Sequence, residues 1–283
     1  MTYTEVVARA AAKLVARGLA SVDAEADAAV LARHILNWDL GHWLGHQRDA
    51  AAASFATALD ATIDRRATHE PVAYITGERE FYGRPFIVSP AVLIPRPETE
   101  LVIEEALGTL AERHPDTGTI CDLGTGSGCL AITLALELPN ARVIATDISK
   151  LALDVARLNA MALGAGDQVQ FREGAFFAGA TDTYDLIVSN PPYVSDRDRA
   201  TLMSDVVDFE PATALFSGDD GLDCIRELLR LAPARLKSAG TLIFEFGFGQ
   251  ADGVRALVAA SPLTLVDLKG DLQGIPRVAI ATL

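Results

Sequence analysis

The sequence predicts an α/β protein: a doubly wound, mostly parallel seven-stranded sheet with an antiparallel C-terminal edge, preceded by a small N-terminal all-helical domain. Three observations predict it. From Thr119 onward, short apolar runs alternate with helix-length segments, the pattern of βα units and a parallel sheet. The first of these strands runs into Gly124-Thr125-Gly126-Ser127-Gly128, a glycine-rich turn that opens a helix. Before Glu70, by contrast, the chain reads as helices and turns.

The elements follow in order. Glu5 to Arg17 is Ala-rich and ends at Gly18, a C′ glycine for a first helix. Ser21 is the candidate N-cap of a second, with Asp23, Glu25 and Asp27 in the opening turns where the helix dipole favours negative charge. Trp38 to Gly45 reads as a loop punctuated by glycine. Phe55, Leu59 and Ile63 recur at i, i+4 and i+8, the apolar stripe of a third helix. Pro71 ends this region. Glu80 to Val88 places two apolar-aromatic runs around Gly83, a β-hairpin. Pro90, Pro95 and Pro97 stiffen an extended connector, and Pro97 suits the first position of a helix reaching about Arg113. Strands are then expected over Thr119–Leu123, Arg142–Asp147, Val169–Glu173, Tyr184–Ser189, Thr241–Phe246, Leu263–Leu268 and Arg277–Thr282. Helices are expected over Gly128–Leu138, Leu151–Leu163, Gly221–Leu231 and Gln250–Ala260. The last two strands, joined through Gly270–Gly274, form the antiparallel edge. The chain thus divides into a helical domain at 1–72, a hairpin and Pro-rich connector at 73–97, and a large α/β domain at 98–283.

At 283 residues the chain is long for one core and comfortable for two. Lys and Arg number 24 against 38 Asp and Glu, a net charge of −14, of which −2 lies up to Glu70 and −12 beyond it. A field of that sign repels phosphate backbones and counts against a nucleic-acid-binding surface. With 50% hydrophobic residues, wholesale disorder is excluded. Cys121, Cys129 and Cys224 form no C-x-x-C pair, which excludes a disulfide framework and points to a reducing cytoplasm. Met1 to Ala10 lacks the basic-then-apolar order of a signal peptide. No apolar run reaches the roughly 18–20 residues that a membrane span needs. All five histidines (His34, His42, His46, His69 and His114) precede Pro115, so the 169 residues after His114 work without imidazole chemistry.

Three motifs carry chemistry. Gly124 to Gly128 has the spacing G-x-G-x-G rather than the G-x-G-x-x-G of dinucleotide folds, which favours an adenosyl ligand without a pyrophosphate. Read blandly, it is a tight βα turn. Asp147 ends the next strand, where a carboxylate can accept from both hydroxyls of a ribose or serve the following helix as a cap. Asn190-Pro191-Pro192-Tyr193 follows the apolar strand Tyr184–Ser189. Two prolines make the strand exit rigid and leave carbonyls free, while Asn supplies an amide acceptor and Tyr a flat ring. Such a group suits a planar, weakly nucleophilic NH₂: the Asn190 side-chain oxygen and the Pro191 carbonyl each accept one N–H, and Tyr193 covers the face.

At these motifs the sequence resembles class I S-adenosylmethionine-dependent methyltransferases, and Asn-Pro-Pro-Tyr narrows this to enzymes that methylate planar nitrogens. Pro71–Gly77, Glu80-Phe81-Tyr82-Gly83, Leu93–Glu100, Glu210-Pro211, Ala214–Gly218 and Asp220-Gly221-Leu222 resemble the glutamine methyltransferases of peptide chain release factors, over the whole length of the chain. The resemblance implies a methyl transfer from S-adenosylmethionine to the N5 nitrogen of the glutamine in the Gly-Gly-Gln motif of class I release factors. It implies a cytoplasmic, monomeric enzyme without nucleic-acid or membrane partners or a metal, whose N-terminal domain docks the protein substrate. Gly124, Thr125, Gly126, Ser127, Gly128, Asp147 and Asn190 would bind the cofactor. Phe176, or its neighbour Phe177, would lie beside the adenine, where the family often has Trp. Asn190, Pro191, Pro192 and Tyr193 would hold the glutamine, with Asn190, Pro191 and Tyr193 the catalytic members. A further departure is Phe246, where a smaller or polar residue is common.

Two other substrates share the tetrapeptide: the glutamine of a ribosomal protein, and the exocyclic amine of a DNA base. The second needs a basic groove, which four lysines and a net −12 do not furnish. Arg96, Glu98 and Glu100 either form an ion-paired connector or border the active site. His42 and His46 have the i, i+4 spacing of a metal pair, but Gly41 and Gly45 break the helix that the pair requires. Cys121 reads as a small buried hydrophobe, and Asp205, Asp208 and Glu210 as a solvated face.

Overall fold

In the computed structural model, which describes residues 1–113, 118–177 and 179–283, the chain forms two units. His114 lies outside the described residues. One unit comprises Met1–Gly77 with Met203–Phe209, the other Glu78–Leu202 with Glu210–Leu283. This differs from the contiguous division at 72 and 97, because a segment distant in sequence joins the helical unit. Arg66 shows how: its guanidinium donates to Asp27 at 2.6 Å and to the Glu70 carbonyl at 3.2 Å, and lies 4.0 Å from Asp205.

The helical unit begins with α1 (Tyr3–Val15), opened by a capping box in which Thr2 and Glu5 serve each other's backbone N–H. In α2 (Ser21–Leu36) the cap position is Ala20, and Ser21 is instead the first helical residue, donating to Glu25 at 3.2 Å. The expected loop at Trp38–Gly45 is a helix, α3 (Leu40–His46). Asp39 accepts from the His42 N–H at 2.7 Å, and this cap outweighs the two glycines. His42 and His46 therefore do share a helical face, their rings stacked 4.4 Å apart. Among the described residues, no group of three or more His, Cys, Asp or Glu is placed to hold a metal. Phe55, Leu59 and Ile63 of α4 (Ala53–Arg66) are all buried, in one core with Val6, Leu14 and Leu31. A short α5 (Val72–Thr76) completes the unit. No helix among the described residues is long and apolar enough to cross a membrane.

The second unit opens with the hairpin β1 (Glu78–Phe81) and β2 (Arg84–Ile87). A 3₁₀ turn at Pro97–Thr99 leads into α6 (Glu100–Arg113). The chain then runs β3 (Thr119–Leu123), α7 (Cys129–Glu137), β4 (Arg142–Asp147), α8 (Lys150–Leu163), β5 (Val169–Glu173) and β6 (Tyr184–Ser189). Helix Asp223–Leu231, β7 (Leu236–Glu245), helix Ala251–Ala259, β8 (Thr264–Gly270) and β9 (Pro276–Thr282) follow.

The strands form one sheet in the order β5-β4-β3-β6-β7-β9-β8. Pairing is parallel through β7 and antiparallel at β7/β9 and β9/β8, the expected sheet with its antiparallel edge. Both faces are covered: Ile120, Leu186 and Val188 pack in one core, while Cys121, Leu123 and Ile187 alternate into the other. β7 starts five residues before the expected Thr241, since Leu236 already pairs with Tyr184 across a bulge. Phe246 lies just past the strand, fully buried in the second core.

Candidate active site

β3 is the middle one of the five parallel strands, with β4 and β5 on one side and β6 and β7 on the other. The crevice beyond the carboxyl ends of β3 and β6 is therefore the topological switch point, where open α/β sheets bind ligands. The register brings Leu123 beside both Thr146 and Ser189, and the Ser189 hydroxyl donates to the Leu123 carbonyl at 2.8 Å. The glycine loop, Asp147 and Asn190 thus leave the sheet side by side. Gly124 to Ser127, Asp147 and Asn190 line one cavity of about 520 Å³, together with Leu93 and Pro95 from the connector and Thr99 just after it; Gly128 is not on its wall.

The loop is held by its own backbone. Gly124 and Thr125 both donate to the Thr146 carbonyl at 2.9 Å. Gly124 and Gly126 adopt φ of +73° and +55°, and a Cβ on either would meet nothing within 4 Å, so the main chain there is bare toward the cavity. Asp147 accepts from Gly126 N–H at 2.9 Å through one oxygen and from Ser149 N–H at 2.8 Å through the other, which fixes the carboxylate at the strand end. Ser149 itself caps α8.

Beneath the loop lies Asp122, fully buried. Its Oδ2 accepts from the Thr125 hydroxyl at 2.6 Å and from Ala131 N–H at 3.2 Å, while Oδ1 has no partner among the described residues. Burial pushes this carboxyl up to about 7, with Asp147 adding to the rise and the two donors opposing it.

At the exit of β6, Pro191 and Pro192 line the cavity beside Asn190. Asn190 Nδ2 donates to the Thr99 hydroxyl oxygen at 3.0 Å, and Thr99 donates to Glu245 Oε2 at 2.7 Å. Tyr193 is not on the cavity wall. Its hydroxyl donates to Glu245 Oε1 at 2.9 Å, and Gln250 secures its carbonyl at 2.9 Å. Burial and the neighbouring carboxylate push the Tyr193 hydroxyl well above its usual range, and burial likewise raises Glu245.

Phe176 lines the cavity, whereas Phe177 is in the core, stacked on Tyr184. Of the three connector charges, Arg96 pairs with Glu210 at 2.5 Å and Glu100 accepts from Tyr82 N–H at 2.8 Å, so both are structural; Glu98 is exposed. Glu210 is a correction: far from a solvated face, it is 5% exposed and also accepts from Ile94 N–H at 3.2 Å, pinning the connector. Thr99 and Glu245 were missed because each stands beside a more conspicuous residue, a charge run in one case and Phe246 in the other. Cys129 and Cys224 also line the cavity, but burial pushes their thiols up to about 12 and about 11, so neither is a nucleophile near neutral pH.

Residues 5–77 match the family model described as PrmC N-terminal domain, and residues 105–218 match Methyltransferase small domain. The chain is similar to the release factor glutamine methyltransferase of Neisseria gonorrhoeae, 47% identical over 224 residues covering 78% of this chain and 80% of that one. With its counterpart in Cereibacter sphaeroides it shares 41% identity over 283 residues, 100% of this chain and 99% of the relative. Among solved structures it is similar to the hMettl16 catalytic domain in complex with MAT2A 3'UTR hairpin 6, with a TM-score of 0.57 at 17% identity over 78% of this chain and 81% of that one. A methyltransferase from Pyrococcus furiosus gives 0.52 at 17%, covering 79% and 96%. At that identity the solved structures show the fold alone.

Proposed function

Because the chain belongs to the release factor glutamine methyltransferase family, we propose that it methylates the N5 nitrogen of the glutamine in a Gly-Gly-Gln loop of a class I peptide chain release factor, in the cytoplasm. S-adenosylmethionine is the proposed donor, and the residues present fit it. The bare backbone at Gly124 and Gly126 admits a close-lying ligand, and Asp147, held at the cavity wall by Gly126 and Ser149, has lone pairs left to accept from ribose hydroxyls. The unpartnered Asp122 oxygen adds negative character under a cationic ligand. Phe176 offers a ring for the adenine. When bound, the cofactor supplies a methyl group already activated by a sulfonium.

The chain's own work is placement. An amide nitrogen is a poor nucleophile because its lone pair is delocalised into the carbonyl. Asn190 Oδ1 and the Pro191 carbonyl accept the two N–H groups of the substrate, hold the nitrogen toward the cavity and favour loss of planarity. Keeping the reactants in near-attack geometry supplies most of the acceleration. The single observation that carries this reading is the Asn190 amide: its nitrogen is committed to Thr99, and its oxygen has no protein partner among the described residues. The helical part, 1–72, docks a second region of the release factor, with 73–97 as connector.

A labelled-methyl assay offering release factor, ribosomal protein and DNA side by side tests it. Label on the Gly-Gly-Gln glutamine is expected. Label on the ribosomal protein or DNA alone would overturn the substrate assignment.

A further inference from the structure

We infer that Thr99 and Glu245 are positioning residues that dictate which end of the Asn190 side-chain amide faces the cavity. The inference rests on the substrate reading above and names the device that makes Asn190 an acceptor. The two ends of an asparagine amide have nearly the same shape and opposite chemistry, so a flip costs little sterically and replaces an acceptor with a donor. Against a substrate NH₂, the flipped form sets donor against donor.

Hydrogen-bond counting fixes the direction. Glu245, at the end of β7, is 1% exposed, and when ionised it can only accept. Its Oε2 takes the Thr99 proton at 2.7 Å. Thr99 has no second proton, so toward Asn190 its oxygen must accept, and only Nδ2 can donate; that bond is 3.0 Å long. Oδ1 is thereby left for the cavity. Through Oε1 the same carboxylate holds Tyr193 at 2.9 Å, so one buried group sets both ends of the tetrapeptide. Three elements meet here: the end of β7, the 3₁₀ turn Pro97–Thr99 and the exit of β6.

Protonating Glu245 at Oε2, the oxygen that faces Thr99, reverses the chain. The carboxyl becomes a donor, Thr99 is released to donate in turn, and Asn190 is drawn round to present Oδ1 to Thr99. Burial raises this carboxyl; the Thr99 and Tyr193 hydroxyls and Arg277 oppose the rise, and Glu98 reinforces it. Arg96 and Arg277 act on Tyr193. Activity governed by Glu245 is present above its folded pKa and fades as pH falls through it.

The test uses the full-length enzyme with S-adenosylmethionine and a Gly-Gly-Gln substrate. Thr99→Val should lower kcat about tenfold, the worth of one lost hydrogen bond, with cofactor affinity within about twofold by calorimetry, and Thr99→Ser should restore kcat. Glu245→Gln should abolish the acid limb of the kcat–pH profile. In protein labelled with ¹⁵N-asparagine, the Asn190 amide protons should be protected from exchange in the parent and lose protection in Thr99→Val. Parent-like kcat and pH profile in both variants would overturn the inference while leaving the function standing. If the parent does not methylate glutamine, the function fails, and the Asn190 resonance still decides: unchanged protection in Thr99→Val overturns the inference, and lost protection sustains it.

Discussion

The side chain of Asn159 holds the backbone of Ile87 at two points, accepting from its N–H at 2.6 Å and donating to its carbonyl at 2.9 Å. The remaining amide proton goes to the Ser127 carbonyl at 2.8 Å. One fully buried amide on α8 thus ties the β1–β2 hairpin to the glycine loop, with every bonding group spent. Asn159→Leu keeps the volume and strips partners from three backbone groups. It should cost about 2–4 kcal/mol, read as a lower urea midpoint at unchanged m-value. A loss within about 0.5 kcal/mol, ordinary for a surface site, would mean that the bonds carry no weight.

Two glycines of one loop should fail differently. At Gly128, φ is +85° and a Cβ would stand 2.6 Å from Ile132 and 3.2 Å from Ala156. Strain and overpacking together should make Gly128→Ala cost about 2–4 kcal/mol. At Gly126 the Cβ meets nothing, so Gly126→Ala should unfold within about 1–2 kcal/mol of the parent yet bind S-adenosylmethionine more weakly. Thermal melts and calorimetry on both variants check the contrast; equal stability losses would refute it.

Asp122 gives the fold a pH dependence of definite sign. Its folded carboxyl, near 7, lies above the ordinary aspartate value of 3.8, so the native state binds the proton more tightly than the unfolded chain. That contribution is complete below about 3.8, and is lost as pH rises through about 7. Asp122→Asn, neutral throughout and still able to accept from Thr125, should gain stability relative to the parent between pH 4 and pH 8. Tm differences at pH 5 and pH 8 measure it, and a gap that shrinks with rising pH contradicts the assignment.

Asn190→Ala removes the substrate acceptor while leaving the glycine loop and Asp147 in place. Turnover should fall at least 100-fold, of the order seen when one oriented catalytic hydrogen-bonding group is deleted, with cofactor affinity largely kept. Steady-state rates and equilibrium titration separate the two effects. Near-normal kcat would remove Asn190 from the mechanism.

Local patterning made the strand cores legible. Thr119–Leu123, Arg142–Asp147 and Tyr184–Ser189 fall where apolar runs and flanking turns put them, since these inner strands are buried over most of their length, and the edge strand Val169–Glu173 falls where Val169 and Phe171 alternate with polar residues. The errors lie where a hydrogen-bonding partner, distant or local, overrides the signal of the residue itself. Glu210 looks solvated until Arg96 and Ile94 close on it from 114 and 116 positions away. Around Gly41 and Gly45 a loop is expected, until the Asp39 cap gives the backbone donors a partner.

By itself the sequence determined the order of elements, the glycine turn, the acid at the next strand end and the tetrapeptide after β6, because each is written in consecutive residues. Only the tertiary structure decided which of them share a cavity and which way Asn190 points. That direction depends on Thr99 and Glu245, 146 positions apart and joined by a single proton. Sequence separation says nothing about which hydroxyl spends its hydrogen on which carboxylate, and folding supplies that information by bringing all three groups together, Thr99 and Glu245 buried and Asn190 at the cavity.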